Sequence, residues 1–107
     1  MAPLKNCTAA HANELLRDGA VLIDVREPHE FAGGHIRGAR NVPNSAVKDG
    51  KAPGVAGRVV VFCCASGIRT ILNAGKLAAL VSGEGYVLEG GLSAWRNAGL
   101  PVEGSGN

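Results

Sequence analysis

The stretch VVVFCCASGIRT, which runs from Val59 to Thr70, joins an apolar run to two adjacent cysteines, a small loop and an arginine. The apolar residues are continuous rather than alternating, which is typical of a strand covered on both faces of a parallel sheet. The mostly apolar residues from Ile68 to Gly83 are then typical of a long, largely buried helix. The stretch therefore predicts a strand, a tight turn and a helix, with a thiol at the mouth of the turn.

The rest of the chain alternates short apolar runs with helical patterns. Thr8 is placed to cap a helix that Gly19 ends, and Pro28 begins a short helical turn. Further strands are predicted in AVLIDVR, HIRGARNVP and GYVLEGG, a last helix in LSAWRNAG, and a loop in NSAVKDGKAPGVAG. Strands that alternate with helices predict an α/β domain built on a mostly parallel sheet.

Length and charge limit the classes of protein that fit the chain. Its 107 residues, 46% of them hydrophobic, suffice for one domain, predicted over residues 1–103 with a flexible tail at 104–107. Eleven Lys and Arg against nine Asp and Glu give a net charge of +2, and the basic residues are scattered, so no nucleic-acid partner is predicted. No run reaches the roughly 18 apolar residues of a membrane span, and no secretory signal is expected.

The cysteines and histidines predict neither a disulfide framework nor a metal site. The three cysteines are an odd number without a C-x-x-C pair, which favours a reducing, cytoplasmic setting, and Cys7 has no assigned role. His11, His29 and His35 have no metal-ligand spacing with the cysteines. We interpret His35 as holding the turn from Gly34 to Gly38, and we predict no cofactor.

Polar residues follow three predicted strands at the same edge of the sheet. Asp24 and Arg26 come from the first, Cys63 and Cys64 from the run RVVVFC, and Glu89 from the last. Because ligands bind parallel sheets beyond the carboxyl ends of the strands, a functional site is expected at this edge. Glu89 fits two interpretations, a partner of the loop or a solvated strand end.

The two adjacent cysteines have different predicted places. In an extended strand Cys63 faces the opposite side from Phe62 and belongs to the core. Cys64 is the first residue free to enter the loop. Counted from Cys64, four residues precede Arg69, whereas counting from Cys63 gives the C-x-x-x-x-x-R spacing of phosphatases that form a cysteinyl phosphate. The longer loop leaves room for a phosphoryl group, and the shorter loop leaves room for a single extra sulfur atom.

The loop after Cys64 consists of small residues that suit an anion site. Gly67 can adopt backbone angles closed to other residues, so that successive N–H groups point inward, and the following helix adds its own unpaired N–H groups. These donors would stabilise a thiolate, which is the nucleophilic form of cysteine. Arg69 either holds the loop or meets an anionic substrate. The alternative is a tight turn whose cysteine is only a small buried hydrophobe.

Three motifs resemble the signatures of the rhodanese domain family, in the same order and at the expected separations. LIDVREPHEFAGGHIRGARNVP resembles the N-terminal signature, and YVLEGGLSAWRNAGLPV resembles the C-terminal one. CASGIRT resembles the active-site loop, with Cys64, Gly67 and Arg69 in register. The resemblance covers nearly the whole chain, and it implies a five-stranded, mostly parallel sheet flanked by helices on both faces.

The resemblance also implies sulfurtransferase chemistry. A sulfane sulfur from thiosulfate or a related small-molecule donor is captured on Cys64 as a persulfide, then passed to cyanide, a thiol or a protein acceptor. Asp24 and Arg26 match positions that mostly brace the architecture beside the site. The implied substrate-binding loop consists of Ala65, Ser66, Gly67, Ile68 and Arg69.

The chain departs from the family pattern within this loop. Cys63 adds a thiol that the motif does not need, and Ala65 stands where many members carry a basic residue that would attract thiosulfate. Two other functions stay open: a module that carries persulfide sulfur between protein partners, and a phosphatase or arsenate reductase that uses Cys63. Trp95, on the predicted last helix, is interpreted as a core anchor rather than a substrate platform.

Overall fold

The computed structural model describes residues 4–43 and 55–104, so most of the predicted loop NSAVKDGKAPGVAG and of the predicted tail lies outside the described residues. Within these ranges the strands are β1 (Lys5–Cys7), β2 (Val21–Asp24), β3 (His35–Ile36), β4 (Arg40–Asn41), β5 (Val60–Cys63), β6 (Gly85–Leu88) and β7 (Val102–Glu103). The helices are α1 (Ala9–Arg17), α2 (Pro28–Ala32), α3 (Ile68–Leu72), α4 (Ala74–Ala78) and α5 (Gly91–Asn97). Strands and helices alternate along much of the chain, as an α/β fold requires.

Five of the strands form one parallel sheet in the order β1-β6-β5-β2-β4. β5 lies at its centre, and all four of its residues are 0% exposed, which agrees with the continuous apolar run. The predicted five-stranded parallel sheet is therefore confirmed. The sequence analysis did not predict β1, because this short strand has two exposed polar residues and no apolar periodicity.

HIRGARNVP forms two strands rather than the single one predicted. β4 joins the edge of the parallel sheet beside β2, whereas β3 pairs antiparallel with β7 in a separate ribbon. Gly38 lies between them with a φ of +79°, a left-handed angle that lets the chain change direction at little cost. The two short strands therefore belong to different sheets.

Helices cover both faces of the parallel sheet, so that the core has two halves. On one face, Cys63 packs in a cluster with Ala12 of α1 and Trp95 of α5. On the other face, Phe62 packs in a cluster with Leu77 of α4. The predicted flanking of the sheet by helices on both faces is confirmed, and successive residues of β5 contribute to opposite halves of the core.

Local signals set the first helix where the sequence predicted it. Thr8 Oγ1 accepts a hydrogen bond from the His11 N–H at 3.1 Å, and α1 ends at Arg17 shortly before Gly19. Pro28 is the first residue of α2, where its missing N–H leaves no helical hydrogen bond unmade.

In the two described ranges, every helix is too short or too polar to cross a lipid bilayer.

The prediction of one continuous helix from residue 68 to 83 is wrong. The structure has two five-residue helices separated by Asn73, whose φ of −110° and ψ of 16° lie outside the helical region. Ile68 and Leu72 of α3 are 61% and 77% exposed, whereas Leu77 and Ala78 of α4 are buried. The break at Asn73 thus separates a first half with exposed apolar side chains, in which Thr70 is buried, from a second half whose apolar Leu77 and Ala78 are buried as predicted.

Candidate active site

The loop between β5 and α3 carries the candidate nucleophile. The Cys64 side chain has 0% exposure, and its Sγ accepts a hydrogen bond from the Gly67 N–H at 3.0 Å. Gly67 makes this contact with a φ of +91°. Thr70 Oγ1 lies 3.9 Å from the same sulfur and donates to the Gly67 carbonyl oxygen at 2.8 Å. The loop therefore presents a backbone donor to the Cys64 sulfur, and such a donor stabilises negative charge.

Cys64 lies beneath the loop rather than at its mouth, where the sequence placed it. Its side chain belongs to the cluster of Val60, Phe62 and Leu77 on the α4 face of the sheet. The cause is the pleat of the strand, because residues 60, 62 and 64 continue the same alternation past the end of β5. The thiol is consequently more deeply buried than a residue free to enter the loop would be.

Cys63 is a protonated, buried thiol on the opposite face. Its Sγ donates to the Cys64 carbonyl oxygen at 3.3 Å, and its side chain belongs to the Trp95 cluster. Burial, followed by the nearby Asp24 carboxylate, raises the pKa of the Cys63 thiol far above its usual value. Burial also raises the pKa of Cys7 to about 11. Both thiols therefore stay protonated near neutral pH, and the predicted core position of Cys63 is confirmed.

The first turn of α5 holds the loop from the other side. The Leu92 N–H donates to the Cys64 carbonyl oxygen at 2.8 Å. The N–H and the Oγ of Ser93 both donate to the Ala65 carbonyl oxygen at 3.1 Å. Because C=O and N–H point in opposite directions across a trans peptide, the N–H groups of Ala65 and Ser66 point away from α5.

The double glycine before α5 permits this close approach. Gly91 has a φ of +56°, and a Cβ at this position would collide with the carbonyl oxygen of Cys64. From the loop side, a Cβ on Gly67 would lie 3.1 Å from the Gly90 nitrogen. The sequence analysis included Gly90 and Gly91 in the C-terminal motif but gave them no function. Two glycines one residue after a buried strand were a usable signal, because such pairs mark close backbone contacts.

Asp24 and Arg26 form a buried ion pair at the end of β2, beside the loop. Arg26 Nη2 lies 2.9 Å from Asp24 Oδ2, and the Arg26 N–H donates to Oδ1 at 3.0 Å. The same Nη2 donates to the Gly34 carbonyl oxygen, and Asn41 Nδ2 donates to both the Asp24 and Arg26 carbonyl oxygens. This network ties together the segments around the strand ends. The Asp24 carboxylate is engaged in it, which fits the bracing role predicted for both residues.

A cavity of about 200 Å³ opens beside the loop. It is lined by Arg26, Ala65, Leu92, Ser93 and Arg96. The sequence analysis did not single out Leu92, Ser93 or Arg96, because a surface arginine on a short helix carries no signal of a cavity. The site therefore draws on α5 more than the motif around Cys64 indicated.

Two further aromatic and histidine assignments are confirmed by their contacts. Trp95 is buried, and its Nε1 donates to the Pro101 carbonyl oxygen at 2.9 Å, as a core anchor does. His35 Nδ1 lies 2.7 Å from the Phe31 carbonyl oxygen, and the two rings stack at 3.8 Å between centroids. These contacts hold the chain just before the turn at Gly38.

Within residues 4–43 and 55–104, no group of three His, Cys, Asp or Glu side chains could hold a metal ion.

The other predicted site residues lie at the outer side of the loop or away from it. Ser66 and Ile68 are exposed. The function predicted for the Arg69 side chain lies outside the described part of the structure and stays a prediction. Glu89 is exposed at the end of β6, and its N–H donates to the Cys7 carbonyl oxygen at 2.9 Å. Its carboxylate is close enough to Cys7 to help raise the pKa of that thiol.

Residues 8–98 match the family model described as a rhodanese-like domain, and the chain belongs to this family. Thiosulfate sulfurtransferase GlpE of Ectopseudomonas mendocina is 34% identical over 103 residues, covering 96% of this chain and 94% of the relative. GlpE of Stutzerimonas stutzeri is 32% identical over 97 residues, covering 91% and 89%. An uncharacterised protein of Synechocystis is 41% identical over 87 residues, or 80% of this chain, and the chain spans only 48% of that relative.

Solved structures show the same fold. A thiosulfate sulfurtransferase from Pseudomonas aeruginosa has a TM-score of 0.82 and 27% identity, covering 97% of this chain, which spans only 20% of that one. A rhodanese-like domain from Anabaena has a TM-score of 0.76 and 25% identity, covering 97% and 80%. A protein from Rhodopseudomonas palustris described as a possible tyrosine phosphatase has a TM-score of 0.76 and 30% identity, covering 94% and 85%. The rhodanese-like fold predicted from the sequence is confirmed.

Proposed function

We propose that the protein is a sulfurtransferase that moves a sulfane sulfur from thiosulfate or a related donor to a thiophilic acceptor through a persulfide on Cys64. The hydrogen bond from the Gly67 N–H to Cys64 Sγ is the observation that supports this most. A thiolate and a persulfide both carry negative charge on sulfur, and a fixed backbone donor stabilises either without a cofactor. Relatives named thiosulfate sulfurtransferase at 32% and 34% identity also support it.

The proposed reaction has two steps. In the first, the Cys64 thiolate attacks the outer sulfur of thiosulfate, a new S–S bond forms to Cys64, and sulfite leaves with the electron pair of the broken S–S bond. In the second, an acceptor such as cyanide attacks the outer sulfur of the persulfide. Thiocyanate forms, and the electron pair of the broken bond returns to the Cys64 thiolate. Charge balances in both steps, and neither needs an external oxidant or reductant.

Access to Cys64 requires movement of the loop. The thiol has 0% exposure in this structure, so a donor reaches the sulfur only when the outer part of the loop is displaced. Ala65, Ser66 and Gly67 have small side chains, and Ser66 is exposed, so that few side-chain contacts oppose this displacement. The same displacement makes room for the extra sulfur atom.

A persulfide carrier for protein partners is a second candidate function, and one observation favours it. Ile68 and Leu72 of α3, directly after the loop, are 61% and 77% exposed. Exposed apolar side chains beside a reactive sulfur suit a protein acceptor that covers them during transfer. If sulfur passes to a protein thiol much faster than to cyanide, the result favours a persulfide carrier over a sulfurtransferase that acts on small molecules.

The phosphatase or arsenate reductase alternative depends on Cys63. That thiol is buried on the face opposite the loop donor, and burial raises its pKa. A protonated thiol turned away from the loop is a poor nucleophile for a phosphoryl group. Hydrolysis of a generic phosphate ester, lost in Cys63→Ala and kept in Cys64→Ala, would restore this alternative.

The proposal also includes a compartment. Cys7, Cys63 and Cys64 are all free thiols. Thiolate chemistry at Cys64 needs reducing conditions, so we place the protein in the cytoplasm. The proposed partners are a small-molecule sulfur donor and a thiol, cyanide or protein acceptor.

Thiosulfate:cyanide turnover with matched cysteine variants tests the proposal. We expect the parent protein to release thiocyanate and sulfite, and Cys64→Ala to lower turnover by at least about a thousandfold because the nucleophile is gone. Cys63→Ala should keep turnover within about threefold, since that thiol lies on the opposite face from the Cys64 sulfur and contacts residue 64 only through its carbonyl oxygen. Loss of turnover in Cys63→Ala, with retention in Cys64→Ala, would reverse the assignment.

A further inference from the structure

A second cavity opens at the amino-terminal edge of the parallel sheet, the edge opposite the Cys64 loop. Its volume is about 260 Å³, and Val21, the first residue of β2, is part of its lining. Asp24 ends the same strand beside the loop, so three steps of about 3.3 Å separate the two edges by roughly 10 Å. Three arginines line the cavity, and none of the described residues in its lining is acidic. The cavity is therefore distinct from the candidate active site.

We propose that this cavity binds a small phosphorylated molecule, with its phosphate group on the arginines and an apolar group against the rest of the lining. Arginine binds phosphate oxygens through two parallel N–H donors, and all three basic side chains of the lining are arginines. Leu16, Val21 and Leu22 supply the apolar part. A water molecule occupies about 30 Å³ of liquid, so the space holds a phosphate group and further atoms. The inference goes beyond sulfur transfer and does not depend on it.

Arg58 carries a charge that no carboxylate offsets within residues 4–43 and 55–104. Its Nη2 donates to the Gly19 carbonyl oxygen at 2.6 Å, at the turn between α1 and β2. Its backbone N–H donates to the Val55 carbonyl oxygen at 3.0 Å, which holds the segment before β5. Because a carbonyl oxygen is a neutral acceptor, the guanidinium keeps its charge, and the contact occupies only one of its five N–H donors. Arg58 is thus held at the cavity with donors left for an anion.

The turn at Gly38 brings two further arginines to the same cavity. Arg37 precedes this glycine, and Arg40 is the first residue of β4, which pairs with β2. Arg37 Nε lies 3.7 Å from Glu103 Oε2, but the two side chains are 72% and 48% exposed, so water screens this pair. Glu103 therefore offsets at most one of the three positive charges, and Arg58 keeps the potential of the cavity positive.

Titration with phenyl phosphate, which has one phosphate group and one apolar ring, tests the charge. We expect its affinity at low ionic strength to fall about tenfold in Arg58→Gln and at least about threefold in Arg40→Gln, and both losses should shrink as salt rises. Lys76→Gln is the matched control, because it removes an exposed positive charge from α4, on the face of the sheet opposite α1. This control should bind within about twofold of the parent. Equal losses in the three variants would overturn the inference, since binding would then follow net charge alone.

Two further measurements locate the anion and identify its chemistry. In an NMR titration, phenyl phosphate should shift the Gly38 and Arg58 amides, and Cys64→Ala protein should bind it with the parent's affinity. Amide shifts confined to residues 65–67, with binding lost in Cys64→Ala, would place the anion in the Cys64 loop and overturn the inference.

Inorganic phosphate should bind about tenfold more weakly than phenyl phosphate, because it covers none of the apolar lining. Equal affinities for the two probes would contradict a phosphorylated organic molecule as the ligand.

Discussion

Cys63 and Cys64 are adjacent in the chain, yet they lie in opposite environments. Cys63 faces the Trp95 half of the core, where burial and then the nearby Asp24 carboxylate raise the pKa of its thiol. Cys64 faces the other half, and its sulfur accepts the Gly67 N–H. Both thiols are 0% exposed, so accessibility does not distinguish them. One step of the strand pleat is enough to place one thiol next to a negative charge and the other next to a backbone donor.

Replacing Asp24 with Asn is the largest expected disturbance on the Cys63 side. The substitution leaves the Arg26 guanidinium buried without its counter-ion, which should lower the free energy of unfolding by about 3–5 kcal/mol. Urea unfolding measures this loss. Glu103→Gln, which removes the partially exposed partner of Arg37, is the control and should cost less than about 1 kcal/mol.

Two results of the Asp24→Asn experiment would change the comparison. A loss as small as that of Glu103→Gln would contradict the bracing function of the ion pair. Burial is the larger cause of the raised Cys63 pKa, so this thiol should stay unreactive in the folded variant. Rapid alkylation of Cys63 in folded Asp24→Asn protein would show that the contrast depends on the carboxylate.

Replacing Gly91 with Ala disturbs the Cys64 side. The new Cβ would collide with the Cys64 carbonyl oxygen at a left-handed φ of +56°, so we expect a loss of about 2–3 kcal/mol of unfolding free energy. Gly99→Ala is the matched control, because Gly99 has a φ of +75° with nothing within 4 Å of its Cβ position. This control should lose only about 1 kcal/mol, from backbone strain alone.

Sulfur capture gives the second measure of the same pair of variants. Gly91→Ala should slow persulfide formation strongly, because the displaced loop no longer holds the Gly67 N–H against the Cys64 sulfur. Gly99→Ala should capture sulfur at nearly the parent rate. Equal rates and equal stabilities in the two variants would show that the double glycine does not shape the loop.

The pH dependence of stability gives a smaller effect that reports on the buried thiols. Folding raises the pKa of Cys7 from 9.0 to about 11 and that of Cys63 as well. Above about pH 9 the unfolded chain therefore loses protons that the folded chain keeps, and the free energy of unfolding falls by about 1 kcal/mol per pH unit for each thiol. Denaturant unfolding should show a flatter decline between about pH 9 and pH 10 in the Cys7→Ala, Cys63→Ala double variant. If the free energy of unfolding fell equally steeply with pH in the parent and the double variant, the result would contradict the claim that both thiols stay protonated in the folded protein.

Features that depend on local patterns could be predicted from the sequence. The continuous apolar run predicted that β5 is a strand of a parallel sheet covered on both faces, and strand alternation put Cys63 in the core. The break at Asn73 and the exposure of Ile68 and Leu72 could not be predicted, because an apolar helical pattern indicates burial unless the tertiary packing is known.

Features that join distant segments needed the structure. The hydrogen bond from Ser93 to the Ala65 carbonyl oxygen spans 28 positions, and nothing in the local sequence of either residue signals it. Arg96 resembles any solvated arginine on a short helix until its position against Gly34 is known. The sequence could therefore indicate the candidate nucleophile, but it could not indicate how α5 orients the loop around it.

Intact-mass analysis of single-thiol proteins after thiosulfate treatment tests most directly whether Cys64 alone accepts the sulfur. One protein keeps Cys64 in a Cys7→Ala, Cys63→Ala background, and the other keeps Cys63 in a Cys7→Ala, Cys64→Ala background. We expect the first to gain one sulfur atom at close to the parent rate and the second to gain none while still folded. Addition of sulfur to the protein that keeps only Cys63, and none to the protein that keeps only Cys64, would contradict the proposal.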